Sequence, residues 1–307
     1  MTTDPFILYS LARNLFNMDE TYPPGDEHVV EAIGRTRVVI RGGRVVEVGE
    51  PVIGDCPLAR RFAVPVTSME PGAIRANMEA RIRSFGMCTP RREVISETDF
   101  VLFGASELMM EGLRSGLLDA AVLACDGAGT VVVYDPALVQ GIGGRMSGLV
   151  KTTPYSAVVE RIRGAGGAVV FPGTAAIDQV GGARYALKHG SERIAVTVAG
   201  IGTAEDVRAA APTALIIAVH TTGLSRDEAE RLVAVADIAT ACASRTVREA
   251  ARPKALVQGG MGVPIFAMTP RGKALVMAKL AATTMPLLVK GGPLPPADHH
   301  GCPDPLV

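Results

Sequence analysis

Apolar positions in the first part of the chain repeat at two different periods. Ile74, Met78, Ile82 and Phe85 share one side of a 3.6-residue repeat, which predicts a helix over residues 72–85 opened by Met69-Glu70-Pro71. Residues 36–40 and 44–48 are instead short β-branched runs on either side of Arg41-Gly42-Gly43, the pattern of a hairpin. Ile7, Leu11 and Leu15 are spaced for a helix in an N-terminal arm, which breaks at Pro23-Pro24-Gly25.

Further on, Glu97-Thr98-Asp99 offers caps for a helix running toward Ser115. Residues 120–124 form a continuous apolar run of the kind that makes a buried strand. Residues 131–134 follow across a turn too short for a crossover helix, so the two strands are expected to pair antiparallel. Beyond that point the pattern is regular, with strands at 168–171, 194–198, 215–219, 238–241 and 263–267. Helices at 158–163, 180–189, 204–210, 225–235 and 269–284 alternate with them.

Such alternation predicts an α/β fold: a mostly parallel sheet with helices on both faces, preceded by N-terminal β-hairpin elements. An incomplete barrel is the alternative, disfavoured because eight equivalent βα units cannot be counted. The expected organisation is an N-terminal arm, hairpin and helix over 1–95, an α/β core over 96–290, and an extended tail over 291–307 that carries His299-His300-Gly301-Cys302.

Composition narrows the function. The 307 residues are 48% hydrophobic, yet no run approaches the ~20 apolar residues of a membrane span, so no membrane partner is expected. A formal net charge of zero and an aromatic content of 4% without tryptophan leave neither the field nor the stacking surfaces for nucleic acid. No basic segment and apolar core of a secretion signal opens the chain, and the cysteines at 56, 88, 125, 242 and 302 are odd in number and widely spaced. The expectation is a cytoplasmic protein with free thiols. High apolar content and the N-terminal arm favour a homo-oligomer.

The candidate chemistry lies at strand ends, where parallel α/β sheets hold ligands. Cys125-Asp126 follows the first core strand, and Gly141, Gly143, Gly144, Arg145 and Ser147 form a glycine-rich turn with an arginine, suited to a small anionic substrate. His220-Thr221-Thr222 and Cys242-Ala243-Ser244-Arg245 follow later strands. Two chemistries fit: a thiolate at Cys125 or Cys242 with His220 as acid/base and Asp126 orienting it, or a thiophilic metal on Cys125, His220 and Cys242. Cys56 and Cys88 are further candidate thiols. The plainer reading is that the glycines make tight turns, Arg145 pairs with a structural acid, His220 is hydrogen-bonded at a strand end, and several cysteines are small buried hydrophobes. GxGxxG is not completed in register after a strand and GxxxxGK[ST] is absent, which disfavours nucleotides and leaves the cofactor unassigned.

The phrases VVEVGEP, CPL, FGMCTP, CDGAGTVVV, LVQGIGGRMSGLV, AVHTTG and ADIATACAS, in this order over residues 27–289, resemble the methanogenesis marker protein 8 family. That resemblance implies a link to coenzyme M (2-mercaptoethanesulfonate) without supplying a reaction. Arginine far outnumbers lysine, and alanine and glycine are abundant, as in GC-rich bacterial genomes. Bacteria that use coenzyme M lack the methane-forming reductase, so making the cofactor is the expected role. The first expectation is an enzyme that thiolates a C2/C3 sulfonate through cysteine. The alternatives are a decarboxylase or lyase on a sulfonated carboxylic acid, and a non-enzymatic accessory or metal-delivery protein using the C-terminal tail.

Overall fold

A computed structural model describes residues 21–56, 59, 62, 65–146, 148–289 and 291–296. The proposed arm helix, Pro57 and Leu58, Ser147 and the His299-to-Cys302 tail lie outside these residues. Within them the chain builds two sheets.

The smaller sheet has the order β3-β2-β1-β6. Its strands β1 (His28–Glu31), β2 (Arg37–Arg41), β3 (Arg44–Val48) and β6 (Leu149–Lys151) all pair antiparallel. The predicted hairpin is β2 and β3. Gly42 and Gly43 sit at φ 54° and 64°, so the tight turn needs left-handed backbone at both central positions, which glycine adopts without steric cost. Helix α1 (Pro71–Phe85) covers this sheet, burying Ile74, Met78 and Ile82 against Val30, Val38, Ile40 and Val45. Strand β6 comes from far along the chain and ties the small sheet to the rest of the molecule.

The larger sheet has the order β11-β12-β10-β9-β8-β4-β5-β7 and is open at both ends. Strands β4 (Ala120–Cys125), β8 (Ile194–Val198), β9 (Leu215–Ala218) and β10 (Ile238–Thr240) are parallel neighbours. Around them β5 (Gly129–Val133), β7 (Ala168–Val169), β11 (Val257–Gly259) and β12 (Ile265–Ala267) add four antiparallel pairings to the three parallel ones. The expectation of a mostly parallel sheet is thus corrected. Connections of three to five residues cannot hold a crossover helix, so β4–β5 and β11–β12 fold back as hairpins at the two flanks.

Side-chain alternation along the strands separates two cores. Ala121, Leu123 and Cys125 of β4 face one layer, with α2 (Ala105–Arg114), α3 (Pro136–Gly143), α4 (Ser156–Gly164) and α9 (Pro270–Ala282). Ala120 and Val122 face the other, with α5 (Gln179–Lys188), α6 (Ile201–Ala210), α7 (Arg226–Val235) and α8 (Arg245–Ala251). Helices therefore lie on both faces, as the alternation predicts.

Two local expectations change. The helix before β4 begins only at Ala105, because the buried Glu107 carboxylate takes the backbone N–H groups of Phe100 and Val101 at 2.9 and 3.2 Å, holding that segment in a non-helical wrap. The glycine-rich stretch after β5 is not a turn. Asp135 Oδ1 caps Ala137 and Leu138, Pro136 opens the first turn, and the chain is helical through Gly143. A Cβ at Gly141 would stand 2.0 Å from the Val94 carbonyl oxygen, so glycine here serves close packing of α3 on the neighbouring backbone.

Candidate active site

The parallel strands deliver their C-terminal ends to one edge, and the small sheet lies across it. Glu31, at the end of β1, donates its N–H to Gly148 O at 2.7 Å and places its carboxylate 2.6 Å from His220 Nε2, just past β9. Arg35 closes on the same carboxylate, Nε at 3.0 Å and Nη2 at 3.4 Å. His220 and Glu31 are half-buried, with 22% and 26% of their side chains exposed, so both the pair and solvent have access to one another. The His220 hydrogen bond, helped by Arg35, outweighs desolvation and holds the Glu31 carboxyl at about 2. An ionised Glu31 carboxylate accepts, so His220 Nε2–H donates to it. Nδ1 makes no hydrogen bond among the described residues.

Backbone strain gathers at the same place. Among the described residues four other than glycine have positive φ, and three belong here or to the adjoining network: His220 at 59°, Arg35 at 56° and Cys88 at 55°. Left-handed backbone costs a side-chain-bearing residue on the order of 1–3 kcal/mol and persists where surrounding contacts impose it.

Glu31 supports a pH prediction. Its folded value lies below the ordinary 4.5, so its stabilising contribution is complete above about pH 4.5 and is lost as pH falls toward about 2. The difference in Tm between wild type and Glu31→Gln should therefore be largest at neutral pH and shrink below pH 4.5, as read by thermal melts across a pH series.

Behind this pair lies a buried polar network. The His28 ring, at the other end of β1, has Thr152 Oγ1 2.7 Å from Nδ1 and Tyr155 OH 2.7 Å from Nε2. Gly127 N–H donates to Thr152 Oγ1 at 2.7 Å, and the Tyr155 hydroxyl donates to Asp26 Oδ1 at 2.6 Å. The chain of donors runs consistently from Gly127 through Thr152, His28 and Tyr155 to Asp26 when His28 carries its proton on Nε2. Next to it, Asp126 accepts from Arg92 Nε at 2.8 Å and from Cys88 N–H at 2.6 Å, all fully buried. Burial pushes the Asp126 carboxyl up, but Arg92 and the Cys88 N–H outweigh it and leave it below the ordinary range.

Several candidates from the sequence fall apart here. Cys125 is wholly buried, and burial followed by the Asp126 charge pushes its thiol up to about 12. Cys88 is likewise buried and is raised well above its ordinary value. Neither is an activated thiolate. Asp126 is committed to Arg92, so it does not orient His220. Strand β4 stands two strands from β9 and three from β10, roughly 10 and 14 Å at ~4.8 Å per strand, so Cys125, His220 and Cys242 do not share a metal sphere. Among the described residues no three His, Cys, Asp or Glu groups are placed to hold a metal ion.

The other candidates keep company with His220 or prove structural. Thr221 Oγ1 donates to Thr240 O at 2.6 Å, tying the ends of β9 and β10 together, and half-buried Thr222 and Cys242 follow those strands. Ser244 caps α8, while Arg245 opens that helix exposed to solvent. Gly141 and Gly143 lie inside α3 and Gly144 caps its end, which withdraws their N–H groups from any anion. Arg145 pairs with Glu93 at 3.0 Å. Cys56 is half-buried in the loop before α1.

Sequence reasoning missed Glu31, Arg35, His28, Tyr155 and Arg92. The only available signal was a Val-Val pair bounded by His28 and Glu31, a short strand with ionisable ends. A thiol-blocking experiment tests the assignment of the cysteines. Iodoacetamide on the folded protein should leave Cys88 and Cys125 unmodified by peptide mass spectrometry and reach both after denaturation; labelling of either in the native state would contradict their burial.

Among the described residues no helix is long and apolar enough to cross a membrane. A protein-family profile described as "Uncharacterized protein conserved in archaea (DUF2099)" matches residues 28–281. "Uncharacterized protein MJ0054" of Methanocaldococcus jannaschii is 39% identical over 258 residues, spanning 83% of this chain and 90% of that protein.

Proposed function

The chain belongs to DUF2099, the family of uncharacterized proteins conserved in archaea, and we propose that it is an acid–base enzyme, a decarboxylase or lyase acting on a small sulfonated carboxylic acid in coenzyme M metabolism. One observation carries the reading: His220 is held at 2.6 Å by an ionised Glu31, in a left-handed backbone conformation, with Nδ1 unengaged beside solvent. A carboxylate-held imidazole is a general acid/base. Arg35, whose guanidinium lies against the Gly223 turn, adds a positive charge beside the pair for the substrate's anionic group.

In an elimination, Nδ1 takes the proton from the carbon next to the anionic group as the leaving group departs with its electron pair. In a decarboxylation, the bond to the carboxylate carbon breaks, carbon dioxide leaves, and the carbon left behind takes a proton from His220. The sulfonate and the link to coenzyme M come from the resemblance to methanogenesis marker protein 8. Sulfur transfer is the second reading. It is favoured by the half-buried Cys242 at the strand next to His220, and it transfers the thiol role there from Cys125.

The test is incubation of the purified protein with two- and three-carbon sulfonates, with and without sulfide. Carbon dioxide release or an unsaturated product without added sulfur is expected. A thiol-bearing product would move the assignment to sulfur transfer, and no turnover of any sulfonated acid would sink it.

A further inference from the structure

A second basic feature lies away from the His220 pair, at the C-terminal end of α1. Arg83, Ser84, Phe85, Gly86, Arg91 and Glu93 line a shallow open cavity of about 430 Å³. The guanidinium carbons of Arg92, Arg145 and Arg81 stand 5.0, 5.2 and 5.8 Å from the centre of the Phe85 ring, so three cations surround one aromatic side chain. Arg92 is neutralised by Asp126. Among the described residues Arg145 is neutralised only by Glu93, whose side chain is 59% exposed. Arg81 reaches the Arg145 carbonyl and the Met78 sulfur, and Arg83 is exposed at the rim; neither makes an ion pair among the described residues.

From this we infer that the cavity is a binding site for a tetrahedral oxyanion, the sulfonate or phosphate group of a small molecule, held by Arg83 of its lining and by Arg145, whose guanidinium pairs with the lining residue Glu93. Guanidinium groups offer paired donors suited to such oxygens. Glu93 acts against the ligand, because an incoming anion must compete with it for Arg145. The site is separate from the catalytic pair and does not depend on the reaction proposed for it. Only Met146 and residue 147 intervene between Arg145 and Gly148, which touches both Glu31 and His220, so the two sites lie within roughly 10 Å along the chain.

Calorimetric titration of the full chain with sodium sulfate, inorganic phosphate and methanesulfonate, at ionic strength fixed with chloride, tests the site. Saturable binding is expected, and the ranking of the three anions identifies whether sulfonate or phosphate is preferred. Arg83→Ala and Arg145→Ala should each weaken binding about five-fold, and Glu93→Gln should tighten it about three-fold, the scale of a partly exposed charge contact. The gain in Glu93→Gln cannot arise from misfolding, since Glu93 is exposed. His220→Asn should leave the affinity unchanged. Binding no stronger than chloride's, failure of Glu93→Gln to tighten it, or loss of binding in His220→Asn would each overturn the assignment.

Discussion

Replacing Asp126 with alanine is expected to destabilise the protein by about 3–5 kcal/mol, the cost of leaving a buried charge without its partner. Arg92 is wholly buried, and its Nε donates to Asp126 at 2.8 Å. The same guanidinium donates to the carbonyls of Glu93, Gly141 and Ile142, the last two in the final turn of α3, where helix carbonyls lack internal partners. Removing the arginine as well should therefore not restore stability, although many buried ion pairs can be exchanged for apolar residues at little cost. The Arg92→Met/Asp126→Ala double variant would orphan those carbonyls. Denaturant melts of the two single variants and the double variant measure this directly; recovery of wild-type stability in the double variant would show that the carbonyl bonds contribute nothing.

His220→Asn is expected to lower kcat/KM by about 10²- to 10⁴-fold on whichever sulfonate is turned over, with the fold intact. Asparagine is the substitution of choice because it tolerates the left-handed backbone at this position better than most residues. Glu31 touches His220 and not the reacting atoms, so it is a positioning residue. Glu31→Gln should reduce kcat less and move the pH profile, since a neutral amide replaces the carboxylate hydrogen-bonded to the imidazole. Glu31→Asp should restore the profile in part. An unchanged profile in Glu31→Gln would assign Glu31 a structural role alone, and an active His220→Asn would remove the imidazole from the chemistry.

The hairpin, helix α1 and most strands and helices after residue 150 were readable from the sequence because each is a local periodic pattern with its own stop signals; the short helix α8 and strand β11 were not among those read. Gly42-Gly43 and the Ser225 and Thr269 caps mark where elements turn or begin. His220 was readable as a site candidate because it directly follows an apolar strand. The helical state of Gly141-Ile142-Gly143 was not readable, since glycine's low helix propensity is overridden by the Asp135 cap and by close packing on Val94.

What the sequence by itself determined was the alternation of strands and helices, the α/β class and the presence of an imidazole at the end of one parallel strand. What only the tertiary structure decided was the company each reactive group keeps. The strand order put Cys125 two strands away from His220 and buried it, and the pairing of β1 with β6 brought Glu31 to His220 across 189 residues of chain. Local periodicity reports which face of an element is apolar. It does not report which distant element covers that face, and burial and charge neighbours, which set reactivity, follow from that long-range choice.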